Sequence, residues 1–149
     1  MTTAAEILRQ ARRIVLHDWP DQDVPDSLAR AGFDVTCYGG PAPDDVFRHE
    51  VVDGQLVTRK TGMPPEAADL LYVYRPIDEL PHLLAEANQI GARTIWRQSG
   101  LNRTGEKDTR GVAPSSDSEQ WRSAVEAAGL RYIEDVYIGD VARELAKSR

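Results

Sequence analysis

Cysteine is nearly absent from this chain. A single one, Cys37, among 149 residues excludes an internal disulfide and a four-cysteine zinc site, so nothing calls for an oxidising compartment and a cytoplasmic location is expected. Long apolar runs are missing as well. No stretch approaches the roughly 18 residues of a membrane-crossing helix, and the first ten residues carry Glu6 and Arg9 where a secretory leader has an apolar centre. Positive charge is in deficit: 18 Lys and Arg against 24 Asp and Glu leave a net charge of −6. Such a field repels phosphate backbones, so neither nucleic acid nor a membrane is expected as a partner. Two catalytic signatures are also lacking, Gly-x-Ser-x-Gly and His-Glu-x-x-His.

What remains is globular. Apolar residues at 41% and charged residues at 28% match an ordinary folded domain, and the length fits one domain over 1–149. A capping box, Thr3-Ala4-Ala5-Glu6, opens a short helix, and Ile14-Val15-Leu16 then reads as a strand covered on both faces. Three later segments end a helical pattern on glycine and begin an apolar strand: Leu28 to Gly32 before Phe33–Tyr38, Ala87 to Gly91 before Thr94–Trp96, and Ala127 to Gly129 before Leu130–Val136. Leu70–Tyr74 is another strand, followed by a helix from about Asp78 to Ile90 with Pro81 in its first turn. Ser116-Asp117-Ser118-Glu119 is a second capping box, for a helix that turns Trp121, Ala124, Val125 and Ala128 inward, and a last helix is expected from about Val141 to Lys147. Glu50 to Val57 reads as two short strands around Asp53-Gly54, a small hairpin or edge excursion. Alternating strands and helices predict an α/β fold: a Rossmann-like three-layer sandwich around a mainly parallel sheet of about five strands.

In such a sheet a ligand sits at the carboxyl ends of the strands, near the point where strand order reverses. Candidate binding residues are therefore His17, Asp18 and Trp19 after the first strand; Gly39, Gly40 and Pro41 after the second; Tyr74, Arg75 and Pro76; and Gln98, Ser99 and Gly100. Arg75 suits a phosphate or carboxylate but more often serves in a structural ion pair, and Trp19 suits an adenine but more often lids its own core. Arg97, Arg103, Lys107 and Arg110 are placed near the crevice rim, where they lend positive charge or are simply solvated. Asp18, Asp21 and Asp23 read as a helix-capping acidic turn rather than a cation site. Gly100 to Lys107 is not a P-loop, because Glu106 interrupts it and no hydroxyl follows Lys107. Cys37 reads as a small buried residue, and Trp96 and Trp121 as core. His49 is placed before the hairpin and His82 on the outer part of a helix, leaving His17 alone at the crevice edge. No nucleophile is paired with a base, so catalytic residues and a metal are not expected; the remaining catalytic reading would use His17 and Arg75.

The stretch Ala68-Asp69-Leu70-Leu71-Tyr72-Val73-Tyr74-Arg75-Pro76, then the helix, then Ile90-Gly91-Ala92-Arg93-Thr94-Ile95-Trp96-Arg97-Gln98-Ser99-Gly100, resembles the stand-alone CoA-binding domain proteins. These are similar to the CoA-binding domain of the succinyl-CoA synthetase α subunit. The resemblance runs over most of residues 12 to 140 and implies a Rossmann-like fold with coenzyme A, an acyl-CoA or a related nucleotide as ligand, bound without catalysis. The first turn departs from the family pattern: His17-Asp18-Trp19-Pro20-Asp21-Gln22-Asp23 has acids where the family has a Gly-x-Ser-like phosphate loop. That departure sustains an alternative, a divergent member that has lost nucleotide binding and acts as a protein-interaction module.

Overall fold

The computed structural model describes residues 3–17, 23–38, 44–63, 67–73, 79–97, 118–134 and 138–147. Its elements are α1 (Ala4–Gln10), β1 (Arg13–His17), α2 (Asp23–Arg30), β2 (Asp34–Tyr38), β3 (Val46–Val52), β4 (Gln55–Lys60), β5 (Leu70–Val73), α3 (Leu80–Ile90), β6 (Thr94–Arg97), α4 (Ser118–Ala127), β7 (Arg131–Glu134) and α5 (Ile138–Lys147). The strands form one seven-stranded sheet in the order β4-β3-β2-β1-β5-β6-β7. From β2 through β7 every neighbouring pair is parallel, whereas β3 runs antiparallel to β2 and β4 antiparallel to β3.

The expected count of about five strands is thus too low. The five parallel strands are there, and the Asp-Gly hairpin adds two by continuing the sheet from β2. Asp53 and Gly54 both take positive φ, 53° and 79°, the combination that lets a two-residue turn follow the natural twist of its strands. Because β3 begins at Val46, His49 lies inside the hairpin rather than before it; it is buried, with Nδ1 3.3 Å from the Thr58 hydroxyl. Burial holds its imidazole below the ordinary range, opposed by the charge of Asp26.

Residues alternate between two buried faces. Val15, Leu71, Val73, Ile95 and Tyr132 meet Leu83 and Ala87 of α3 and Trp121 and Val125 of α4. Ile14, Leu16, Val35, Leu70, Tyr72, Trp96 and Ile133 meet Leu8 of α1, Leu28 of α2 and Ala142 and Leu145 of α5. Burial on both sides explains why these strands read as unbroken apolar runs, and the expected three layers are present. Trp96 and Trp121 are fully buried, as the sequence predicts, in opposite layers. Ala128, expected to face inward, is exposed because α4 stops at Ala127, and α5 starts at Ile138 rather than near Val141.

Helix ends follow local chemistry. The Thr3 hydroxyl accepts the Glu6 N–H at 3.2 Å and the Glu6 carboxylate accepts the Thr3 N–H at the same distance, a reciprocal cap. Gly91, at φ 75°, closes α3 in a left-handed conformation that favours glycine.

Asp69 fastens the two central strands at their starts. Its Oδ2 accepts the backbone N–H groups of Arg12 and Arg13 at 2.8 and 2.9 Å, and its own N–H donates to the Arg13 carbonyl. Charge-assisted bonds of this kind hold β1 against β5 across 57 residues of chain. Replacing Asp69→Ala should lower stability by about 1 to 2 kcal/mol, read as a lower urea midpoint with an unchanged denaturant slope.

Candidate functional site

The strand register aligns the carboxyl ends. His17 lies opposite Tyr38 on one side and Val73 on the other, Val73 opposite Arg97, and Arg97 opposite Glu134. Cross-strand partners share a face, so these five side chains form a row at one edge of the layer covered by α3 and α4. Strand order reverses between β1 and β5. The chain leaves β1 for β2 on one side, and after the hairpin restarts at β5 on the other. In open α/β sheets a ligand sits outside the carboxyl ends of the strands at such a reversal, and His17 is the last residue of β1 there.

Around that strand end three elements bring together a histidine, a tyrosine and a glutamate. His17 Nε2–H donates to Glu86 Oε2 of α3 at 2.6 Å. The Tyr38 hydroxyl donates to the same carboxylate, and its ring stacks on the imidazole with centroids 4.6 Å apart and planes 22° apart. Burial pushes the Glu86 carboxyl up, but the hydrogen bond and charge of His17, then the Tyr38 hydroxyl and the His82 charge, outweigh it and hold the group below the usual glutamate range. Burial first, and the Glu86 charge second, push the Tyr38 phenol well above its ordinary value. Glu86 is therefore an ionised acceptor at neutral pH. It fixes the proton of the His17 ring on Nε2 and leaves Nδ1 as the ring's remaining polar atom.

A second cluster lies further along the row. Arg97 is fully buried, and its Nη1 donates to Glu134 Oε1 at 2.8 Å. The Tyr132 hydroxyl donates to the same oxygen at 2.5 Å, and the Ser118 hydroxyl to Oε2 at 2.7 Å. The guanidinium also stacks over Trp121, 4.8 Å from the ring centroid. Arg97 was expected on the crevice rim with Arg103, Lys107 and Arg110. It is instead the last residue of β6, pulled under α4 by strand alternation and neutralised by Glu134, which makes it part of the fold's polar core.

Of the residues predicted to bind a ligand, His17 alone lies among those described. Asp18, Trp19, Gly39, Gly40, Pro41, Tyr74, Arg75, Pro76, Gln98, Ser99 and Gly100 lie outside them, as do Asp21, Arg103, Lys107, Arg110 and the first half of the second capping box. The strands these segments follow end side by side at His17, Tyr38, Val73 and Arg97. Glu86 was not foreseen. Its signal in the sequence is faint: a carboxylate one turn after His82, flanking the apolar stripe Leu83, Ala87 and Ile90. Among the described residues no His, Cys, Asp and Glu cluster is arranged to hold a metal ion, and no helix is long and apolar enough to cross a membrane.

With this geometry in view, the relatives can be placed. A family model described as a CoA binding domain matches residues 22–139. The chain belongs to the CoA-binding domain family. The match begins at Gln22, beyond β1 and most of the acidic turn that departs from the family pattern. Two solved structures share the fold. The cell-free protein ID.343 from Thermus thermophilus is 21% identical over 93% of each chain, with a TM-score of 0.56. Prb, the PH1109 protein redesigned for binding, is 17% identical over 95% of this chain and 88% of its own, with a TM-score of 0.59. No curated protein matches the sequence.

The depressed acidity of Glu86 has a thermodynamic consequence. Its folded value lies below the ordinary 4.5, so its contribution to stability is complete above that value and is lost as pH falls through it towards the folded value. Replacing Glu86→Gln should flatten the acid limb of a stability-versus-pH curve below about pH 5. An unchanged acid limb would mean that the carboxylate gains nothing from His17 and Tyr38.

Proposed function

We propose that this member of the CoA-binding domain family binds coenzyme A, an acyl-CoA or a related nucleotide without catalysis, in the crevice at the carboxyl ends of β1, β2, β5 and β6. The observation that carries this reading is the reversal of strand order between β1 and β5, with His17 at the point of divergence. The family match supports the ligand class. His17, Asp18 and Trp19, Gly39, Gly40 and Pro41, Tyr74, Arg75 and Pro76, and Gln98, Ser99 and Gly100 all belong to strand ends or to the segments that directly follow them.

Each end of the ligand asks for something different. Backbone N–H groups near Gly39 and Gly40, and the Arg75 guanidinium, suit phosphate oxygens. An imidazole whose Nε2–H is held by Glu86 can present Nδ1 to the ligand, as an acceptor when neutral and a donor when protonated. A second reading is favoured by one observation: Glu86 puts an ionised carboxylate at the crevice, which disfavours an incoming phosphate. On that reading the protein has lost nucleotide binding and serves as an interaction module.

A thermal-shift series with coenzyme A, acetyl-CoA, NAD and ATP separates the two. A true ligand at about 100 times its dissociation constant should stabilise the fold by roughly 2.7 kcal/mol, and His17→Ala should weaken its binding about tenfold, or about 1.4 kcal/mol. Flat melting curves for all four nucleotides would sink the binding reading and leave the interaction module.

A further inference from the structure

The sheet ends at β4. Its outward backbone has no strand partner among the described residues, and exposed apolar side chains gather beside it. Val51, Val52 and Val57 are 42%, 48% and 40% exposed, and Met63, just past the end of β4, is 71% exposed. These four are the large hydrophobic residues that the described part of the molecule leaves in water. Natural edge strands are commonly protected by charge. Here both cations of β4 are already engaged from within the chain: Arg59 Nη2 lies 3.3 Å from Glu50 Oε1, and Lys60 Nζ lies 3.6 and 3.5 Å from Asp44 and Asp45.

We propose that β4 pairs antiparallel with β4 of a second copy of this chain across a twofold axis, joining two seven-stranded sheets into one. The surface is self-complementary, and backbone parity restricts how it can pair. The two-residue turn makes Val52 and Gln55 a hydrogen-bonded pair, and such pairs alternate along an antiparallel ladder. Gln55, Val57 and Arg59 therefore spend their backbone groups on β3, while Leu56, Thr58 and Lys60 turn theirs to the open side. Outward residues must meet outward residues, so the twofold axis passes beside a residue rather than between two.

Charge and packing then select among the positions. An axis at Arg59 sets two guanidinium groups face to face. An axis at Thr58 puts Leu56 opposite Lys60 and Val57 opposite Arg59, and one at Leu56 draws Gly54 of the turn into the ladder. An axis at Val57 sets Val57 against its own copy in a non-hydrogen-bonded pair, where side chains approach closest. It also puts Leu56 opposite Thr58 and Gln55 opposite Arg59, with no like charges facing. Val52 shares the face of Val57 and extends the apolar strip. The carboxyl edge, with His17 and Glu86, is not part of this interface, so the pairing stands independently of the ligand reading.

Sedimentation equilibrium of the full chain should give twice the 16.6 kDa chain mass. Val57→Lys, which sets two cations against each other on the axis, should give the single-chain mass with an unchanged circular dichroism spectrum. Val57→Cys should form a disulfide-linked dimer under mild oxidation, and Thr58→Cys about tenfold more slowly, because its copy is offset along the ladder beyond disulfide reach. Cys37 is buried and does not compete. A wild-type protein of single-chain mass, a dimer that Val57→Lys leaves intact, or equal cross-linking at positions 57 and 58 would overturn the proposal.

Discussion

The central strand β1 is hydrogen-bonded in parallel to β2 on one side and to β5 on the other, and this pairing sets the remaining geometry. Parallel neighbours cannot be joined by tight turns, so each connection must cross back along a face of the sheet. The crossover helices lie on both faces, α2 on one and α3 and α4 on the other, and the terminal helices α1 and α5 join α2, which buries both sides of the strands. The crossovers also send the carboxyl ends of the five parallel strands to the same edge. Asp69 clamps the opposite edge, so β1 and β5 are pinned at their starts and stay paired to His17 and Val73 at their carboxyl ends.

Among the described residues, the two carboxylates at the carboxyl edge are each met by donors. Glu86 is met by His17 and Tyr38, and Glu134 by Arg97, Tyr132 and Ser118. In each cluster one carboxylate gathers donors from separate elements, because a half-buried anion must recover in hydrogen bonds what it loses in hydration. The two clusters have different reach. Arg97 is sealed beneath α4 with its charge neutralised, whereas His17 keeps some exposure at the point where strand order reverses. On the proposed reading the first cluster is the contact for a ligand, and the second is a structural brace.

Much of the fold was legible in the residues. The strands at Ile14–Leu16, Leu70–Val73 and Thr94–Trp96 announce themselves as apolar runs, because a strand buried on two faces has little polar alternation to disguise it. Glycines 32, 91 and 129 mark helix ends because a left-handed φ is costly for other residues, and all three adopt it. The hairpin was visible at Asp53-Gly54, but its attachment to the sheet was not: short strands with mostly exposed residues carry little apolar signal about their neighbour. The candidate site was legible as a location, the ends of particular strands, and less so as a set of partners. Glu86 was hidden because helical periodicity reports which side chains face the core, and a carboxylate at the margin of the stripe looks the same whether it meets water or a histidine 69 residues away.

Local patterning by itself determined the alternation of helices and strands, the layered class, the helix caps and stops, and the deep burial of Trp96 and Trp121, since each depends on neighbours within a few residues or on apolarity alone. Tertiary structure decided which strand lies beside which. It alone put β4 at the end of the sheet with Val57 exposed beside Val51 and Val52 of β3, drew Arg97 away from the rim into an ion pair with Glu134, and made a carboxylate of α3 the partner of His17 on β1. Those contacts join residues far apart along the chain, and their energies arise only once packing has removed the intervening water.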